Sequence, residues 1–564
     1  MAFVTGVCSK ATVVIQSQKR FLNVTDLHLS ADGPGASVHR WNVQLGDGSS
    51  WLIYLTPTCM SERPILQITG KGTILGPKHF TGIVQVAKNP AGTAGIDVFN
   101  KAAGVYPVGA TIPGTVSCRT GTYTLAWKKK GIEQRTLLIT TKGTATATLA
   151  DEFTMVEYEL PTHIGFDPWS PRLGSVGSEG SAATVSQDAK AAIIKAAKVE
   201  FAQDITKLTN LTSKYYGGIA FSVYARAMYA IHNIGGDTTF TASSLAKLEP
   251  PFDKYVKNQE PNPLCYDGVW KGLVSSASYG NNDSLIDFGN TYYNDHNFHY
   301  GYYVYAAAII AHFDPSWLSK NGGVNRIWVN NLIRDWSNPS AEDPFFPFSR
   351  SFDWFHGHSW ARGVLEAPDG KDQESSAEDA FSTYAIKMWG KVIGDASLEA
   401  RSNLQLAVTA RSLQSYFLLA SDNDVQPANL SGNRATGILW DRKINHTTYF
   451  GDDIAYIQGI HMLPIVPSSA YIRKPSFVRE EWDQHFADNK SGSLNSDDFT
   501  GHIYVNLAIA DKAGAFESHA FMRKQTTDSP YLSRSSLTWD LAYTAALGGS
   551  LASNVSVNST RLWN

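Results

Sequence analysis

"DAKAAIIKAAKVEFAQDITKL", Asp188 to Leu208, marks the point where the chain changes its mode of folding. Its apolar residues return at helical spacing, and it carries few strand signals. Upstream, from residue 1 to about 160, short alternating runs are broken by Gly, Pro and Asn. WLIYLTP (51–57), TGIVQVA (81–87), TYTLAWKKK (122–130), QRTLLITT (134–141) and FTMVEYEL (153–160) predict strands of an antiparallel sandwich. A loop rich in Gly, Ser and Pro, GFDPWSPRLGSVGSEGS (165–181), separates the two modes. Downstream, SVYARAMYAIHNI (222–234), YYVYAAAIIAHF (302–313), AEDAFSTYAIKMWGKVI (377–393) and ASLEARSNLQLAVTARSLQSYFLLA (396–420) read as helices. So do FTGHIYVNLAIADKAGA (499–515) and LTWDLAYTAALGGSLA (537–552), with loops of Trp, Gly, Asp and His between them.

The expected fold class is therefore multidomain α+β. It comprises an antiparallel β-sandwich over residues 1–160, a small linking α/β domain over 161–240, and a helical domain over 241–564. The last has room for twelve helices at roughly 27 residues each with their loops, an (α/α)6 toroid that would carry the cleft.

Bulk properties narrow the function classes. A net charge of −3 advertises neither nucleic acid nor an anionic membrane. No apolar stretch approaches the length of a membrane span. Four dispersed cysteines (Cys8, Cys59, Cys118, Cys265) form no metal pattern and no dense disulfide framework. The opening MAFVTGVCSKATVVI is a poor signal peptide, since it lacks a basic start and Lys10 interrupts it. Eight Asn-x-Ser/Thr sites lean weakly towards secretion. The 15 Trp, 25 Tyr and 26 Phe supply rings of the kind that stack on sugars, although most aromatic residues serve the core.

Two stretches concentrate chemistry. In YYNDHNFHYGYYVYAAAIIAHF (292–313), Asp295 and His299 stand four apart at the mouth of a helix. Three readings are open there: a metal site drawing on Asp295, His296, His299, His356 and His358; Asp295 capping the helix with His299 hydrogen-bonded in the core; or Asp295 as a proton donor positioned by His299. No HExxH or cysteine–histidine pattern supports the metal. For the donor, burial among Tyr292, Tyr293 and Phe298 would raise the proton affinity, while a helix N-terminus would lower it. In the second stretch, Glu374, Glu378 and Asp379 surround the start of AEDAFSTYAIKMW. If the helix already covers Glu374, then Glu374 and Glu378 share a face and repel; the alternative is ordinary acidic decoration of a first turn. The preceding loop gathers Asp353, Trp354, His356, His358, Trp360 and Arg362, either to bind a ligand or as a packed interdomain loop.

YNDHNFHYGYYVYAAAIIA (293–311), FDWFHGHSWARG (352–363), GKDQESSAEDAFSTYAIKMWG (370–390) and WDRKINHTTYFGDDIAYIQGIHMLPIVPSS (440–469) resemble, in order and spacing, the blocks of glycoside hydrolase family 81, the endo-β-1,3-glucanases or laminarinases. The resemblance covers most of residues 215–550. The strand-rich third is similar to the latter part of the family's sandwich, which implies a truncated or internally started sequence. By resemblance, Asp295 is the expected general acid, Glu374 the general base, and Glu378 a second essential glutamate. His299, Asp353, Trp354, His358, Trp360 and Tyr303 are expected at the cleft, with Trp440 and Tyr449 as further glucose contacts. An inverting hydrolysis of β-1,3-glucan by a monomer is implied, with no metal, cofactor, nucleic acid or membrane partner. The implied location is secreted or in the cell wall, with the cytoplasm as the alternative. Two other classes stay open: a polysaccharide lyase on a helical toroid, and a non-catalytic wall-binding protein.

Overall fold

The computed structural model describes residues 3–27, 38–59, 63–89, 92, 96–140, 147–172, 184–490, 492, 494 and 499–550. Parts of the expected loop at 165–181, of QRTLLITT and of LTWDLAYTAALGGSLA lie outside the described residues. The chain divides into two compact units, Met1–Thr115 with Thr122–Val156, and Val116–Gly121 with Glu157–Asn564. Strands dominate the first and helices the second.

In the first unit, β1 (Val4–Ala11), β2 (Phe21–Asp26), β3 (His39–Leu45), β4 (Ser50–Pro57) and β5 (Phe80–Lys88) form one antiparallel sheet in the order β1-β5-β4-β3-β2. The apolar run WLIYLTP occupies its centre because both faces of β4 are covered. Ile53 and Leu55 join a core with Trp41, Val43 and Phe80, while Leu52 and Tyr54 point the other way. That second face is closed by a helix that the strand-rich pattern did not announce, α1 (Ile96–Ala102). Its Phe99 and Ala102 pack on Leu52 and Tyr54, and its Asn100 Oδ1 accepts the Tyr54 hydroxyl at 3.0 Å. A further sheet sets Thr120–Gly131 between Gly114–Ser117 and Glu152–Glu157, and Val105–Thr111 also pairs with it.

The longer helices of the second unit are α2 (Gln187–Glu200), α3 (Lys214–Ala230), α4 (Thr238–Val256), α5 (His296–Phe313), α6 (Lys320–Ser337), α7 (Ser376–Ile393), α8 (Ala396–Tyr416), α9 (Thr500–Leu507), α10 (Lys512–Met522) and α11 (Leu537–Thr544). Asp188–Leu208 is not one helix. α2 ends at Glu200, and Asp204 then caps a new short helix, Ile205–Thr209, by accepting Lys207 N–H at 3.0 Å. Asp favours caps because its carboxylate satisfies N–H groups that a helix start leaves free. The separate linking domain expected at 161–240 is not found among the described residues. Among the described residues no strand lies between Glu157 and Leu264, and Ile164, Ile193, Phe221 and Ile231 share one core with α5 and α7.

α5 is apolar all round and buried on nearly every side, as a central helix must be. It packs against α3 and α7 through residues without bulk. A Cβ on Gly218 of α3 would stand 3.0 Å from the His299 carbonyl oxygen, and one on Gly301 of α5 would stand 3.0 Å from the Ser382 Cβ of α7. These close approaches set the N-termini of α3, α5 and α7 side by side. No described helix is long and apolar enough to cross a membrane. The four cysteines are unpaired.

Candidate functional site

At those N-termini lies a cavity of about 580 Å³, lined by the acids Asp295, Asp372, Glu374 and Glu378 and by Tyr215, Phe288, His299, Arg362, Tyr449 and Arg534, among others. Neither the Asp295 nor the Glu374 carboxyl is held by a helix, although the Asp295 carbonyl accepts His299 N–H at 2.9 Å. Asp295 precedes α5 in a left-handed conformation (φ 59°), and its side chain makes no capping bond. The capping reading of Asp295 therefore does not hold. α7 begins at Ser376 behind Ser375, whose hydroxyl accepts Glu378 N–H at 3.4 Å. Glu374 thus sits before the helix, and the shared face that would pair it with Glu378 does not form.

Loop hydrogen bonds hold the two acids instead. Asp295 N–H donates to the Ala361 carbonyl at 2.9 Å, and Ala361 N–H donates to the Asp372 carbonyl at 2.8 Å. Asn294 Oδ1 accepts Gly363 N–H at 2.7 Å. The strand Asp372–Gln373 pairs with Ile438–Trp440, so Glu374 leaves the end of a short ladder. Its Oε1 accepts Tyr449 N–H at 2.8 Å, while the Tyr449 hydroxyl donates to Asp372. Arg362 donates from Nε to Asp372 at 3.2 Å and from Nη2 to the Tyr449 hydroxyl at 3.1 Å. Glu378, in the first turn of α7, is buried, and its Oε1 accepts the Tyr302 hydroxyl at 2.7 Å and the Tyr215 hydroxyl at 2.8 Å.

Crowded carboxylates largely buried in one cleft hold protons tightly. Burial, then repulsion from Asp372, Glu374 and Glu378, pushes Asp295 well above the ordinary carboxyl range against the charge of Arg362. Burial also raises Glu374 to about 7, helped by Glu378 and Asp372 and opposed by Tyr449 N–H and Arg534. Burial raises Glu378, against hydrogen bonds from Ser375, Tyr302 and Tyr215 and the charge of Arg534. Burial lowers His299 to about 4, leaving it neutral.

The remaining expected residues separate into two groups. Tyr449 is exposed and lines the cavity; Trp440 stands beside it, ring centroids 6.2 Å apart, between the Arg362 guanidinium (5.7 Å) and the Lys443 ammonium (5.6 Å). Asp353, Trp354, His358 and Trp360 do not line this cavity. They form a packed loop organised by Asp353, which accepts His356 Nδ1 at 2.6 Å and Trp360 Nε1 at 3.1 Å. Against its burial, those bonds hold the Asp353 carboxyl far below the usual range. Tyr303 is a core residue, 1% exposed and packed on Phe221, Tyr255 and Trp328, because its position on α5 faces α3 and α4. The five residues of the metal reading do not converge: His296 pairs with Asp335, His299 with Asn290, His356 with Asp353, and His358 with the Ser359 carbonyl.

Asp372, Tyr215, Tyr302 and Arg534 belong to the site and escaped the sequence reading. Asp372 stands two positions before Glu374 and had a signal in its neighbourhood. Tyr215 and Tyr302 look like core aromatics, and no pattern around Arg534 points to the acids it faces. Ser375-x-x-Glu378 has the spacing of a capping box and would have located the start of α7 beyond Glu374.

Residues 184–541 match the family described as "Glycosyl hydrolase family 81 C-terminal domain", and residues 1–140 and 133–171 match "Glycosyl hydrolase family 81 N-terminal domain". A glucan endo-1,3-beta-D-glucosidase of Arthroderma benhamiae is 41% identical, across 97% of this chain and 61% of its own length. The primary septum glucan endo-1,3-beta-D-glucosidase of Schizosaccharomyces pombe is 38% identical, across 97% of this chain and 54% of its own. The chain thus spans little more than half the length of these curated relatives. A solved structure of a glycoside hydrolase family 81 protein from Clostridium thermocellum superimposes with a TM-score of 0.74 at 18% identity, across 97% of this chain and 74% of the other.

Proposed function

The chain belongs to glycosyl hydrolase family 81, and we propose that it cuts internal linkages of β-1,3-glucan by inversion, with Asp295 as general acid and Glu374 as general base. The observation that carries this reading is the pair of high-affinity carboxyls, brought from distant segments to one aromatic-lined cavity. A carboxyl that is neutral at working pH can protonate the glycosidic oxygen as the bond breaks. Glu374, with a proton affinity near neutrality, ionises readily yet remains a strong enough base to take a proton from water. Inversion requires that water on the opposite sugar face, and so a carboxyl separation of roughly 6.5–9.5 Å. Glu378 adds negative charge that strengthens Glu374 as a base. The Tyr449 ring, at the rim, offers an apolar face to a glucosyl unit.

The finer architecture is part of the same proposal: a β-sandwich followed by an (α/α)6 toroid, supported by the packing of α5 against α3 and α7 and of α7 against α8. A monomer acting at the cell wall or outside the cell fits the septum named for the S. pombe relative.

Laminarin digestion tests the reading. Asp295→Asn and Glu374→Gln should each lower turnover by roughly 10²- to 10⁴-fold, with the far-UV circular dichroism unchanged. Near-normal turnover of either variant removes that residue from its role. NMR of the first products should show α-anomers at the new ends; β-anomers would sink the inverting assignment.

A further inference from the structure

Asn290, which precedes Asp295 beside a turn of left-handed residues, is buried and hydrogen-bonded through both its side chain and its carbonyl, the Tyr300 hydroxyl reaching its Oδ1 at 3.3 Å and Tyr293 N–H its carbonyl at 3.0 Å. Its Oδ1 accepts Ser275 N–H at 2.8 Å, and its carbonyl oxygen meets His296 Nε2 at 2.8 Å. Its Nδ2 stands 3.1 Å from His299 Nδ1. A backbone N–H can only donate, so Ser275 fixes which end of the Asn290 amide is oxygen. The NH2 end then faces His299 and can only donate. His299 Nδ1 must therefore accept, and the single proton of this neutral ring resides on Nε2. The Tyr215 and Phe288 rings flank the imidazole, with centroids at 5.3 and 6.1 Å, and hold its plane. No described residue takes up Nε2, and His299 lines the cavity.

We infer that Asn290 is a positioning residue that locks His299 as the Nε2–H tautomer, so that the ring presents one fixed donor to a hydroxyl oxygen of the glucosyl unit bound beside Asp295. The tautomer follows from the hydrogen bonds alone; only the identity of the acceptor rests on the glucanase reading. A ring free to exchange tautomers would present a lone pair part of the time and repel acceptors, and Asn290 removes that state.

Histidine-selective nitrogen-15 labelling reads the tautomer directly in the whole chain, with the His299 signals assigned by their loss in His299→Gln. Between about pH 5 and pH 8, wild-type His299 should show an unprotonated Nδ1 and a protonated Nε2. A protonated Nδ1 overturns the inference without any variant. Asn290→Ala should give mixed tautomers and lower kcat/KM on laminarin about tenfold, chiefly through KM. Mixed tautomers with unchanged kcat/KM would refute the positioning role. Should Asn290→Ala fail to fold, the wild-type spectrum still decides the tautomer, and His299→Gln against His299→Phe decides the donor. Gln, which keeps an N–H at the same reach, should retain more activity than Phe, and equal activities overturn the donor role. A wild-type protein that shows the expected tautomer but leaves laminarin intact would instead defeat the glucanase reading.

Discussion

Glu374→Gln, besides lowering turnover, should stabilise the fold, and the stabilisation should appear only at higher pH. The wild-type carboxyl is raised from 4.5 to about 7 by burial among like charges. Its folded pKa lies above its unfolded one, so the stability tied to the proton is complete below about pH 4.5 and is lost as pH rises through about 7. A glutamine, always neutral, does not suffer that loss. The full shift corresponds to roughly 3.4 kcal/mol at 1.36 kcal/mol per unit, of which about 2.5 kcal/mol develops between about pH 5 and pH 8.5. Glu374 lines an open cavity, and solvent screening reduces the expected gain to about 1–1.5 kcal/mol. Urea unfolding of both proteins, followed by helical circular dichroism at the two pH values, isolates the difference. A stability gap that stays flat with pH, or that favours the wild type at pH 8.5, would refute the electrostatic account of the site.

The pH dependence of laminarin kcat/KM should be bell-shaped. The acid limb falls as pH drops through about 7, where Glu374 gains a proton, and the basic limb appears where the raised Asp295 loses one. A profile flat from about pH 5 to 7 would contradict the assignment of Glu374. Gly363→Ala should cost about 2–3 kcal/mol of stability and most of the activity, because its Cβ would meet the Tyr292 carbonyl oxygen at 2.0 Å and force the Asp295 segment away. Urea midpoints and turnover check this together, and a variant unchanged in both would show that the close approach is not needed.

Much of the frame was legible because hydrophobic period reports which faces are covered. The run around Trp51–Pro57 has no polar alternation since both sides of β4 are buried, and α5 has no polar stripe since helices surround it. The breaks were harder to see. Asp204 ends one helical reading by capping the next, and α1 is too short for its period to stand out among strands. In the site, the order of the acidic blocks was readable, whereas their setting was not. Glu374 and Asp295 owe their positions to loop carbonyls and amides, which carry no side-chain signature. Tyr303 was expected at the cleft from its neighbours in sequence; one position along a helix turns a side chain by about 100 degrees, enough to send it into the core.

Arg534 supplies positive charge to Glu374, Glu378 and Tyr215 from a position late in the chain. During synthesis, Glu374 and Glu378 leave the ribosome well before the guanidinium that tempers them. A chain that has passed residue 362 already holds the guanidinium that pairs with Asp372 and lowers Asp295, whereas Glu374 and Glu378 still lack theirs. A chain that stops short of residue 534 would hold both glutamates without the cation that lowers their proton affinity.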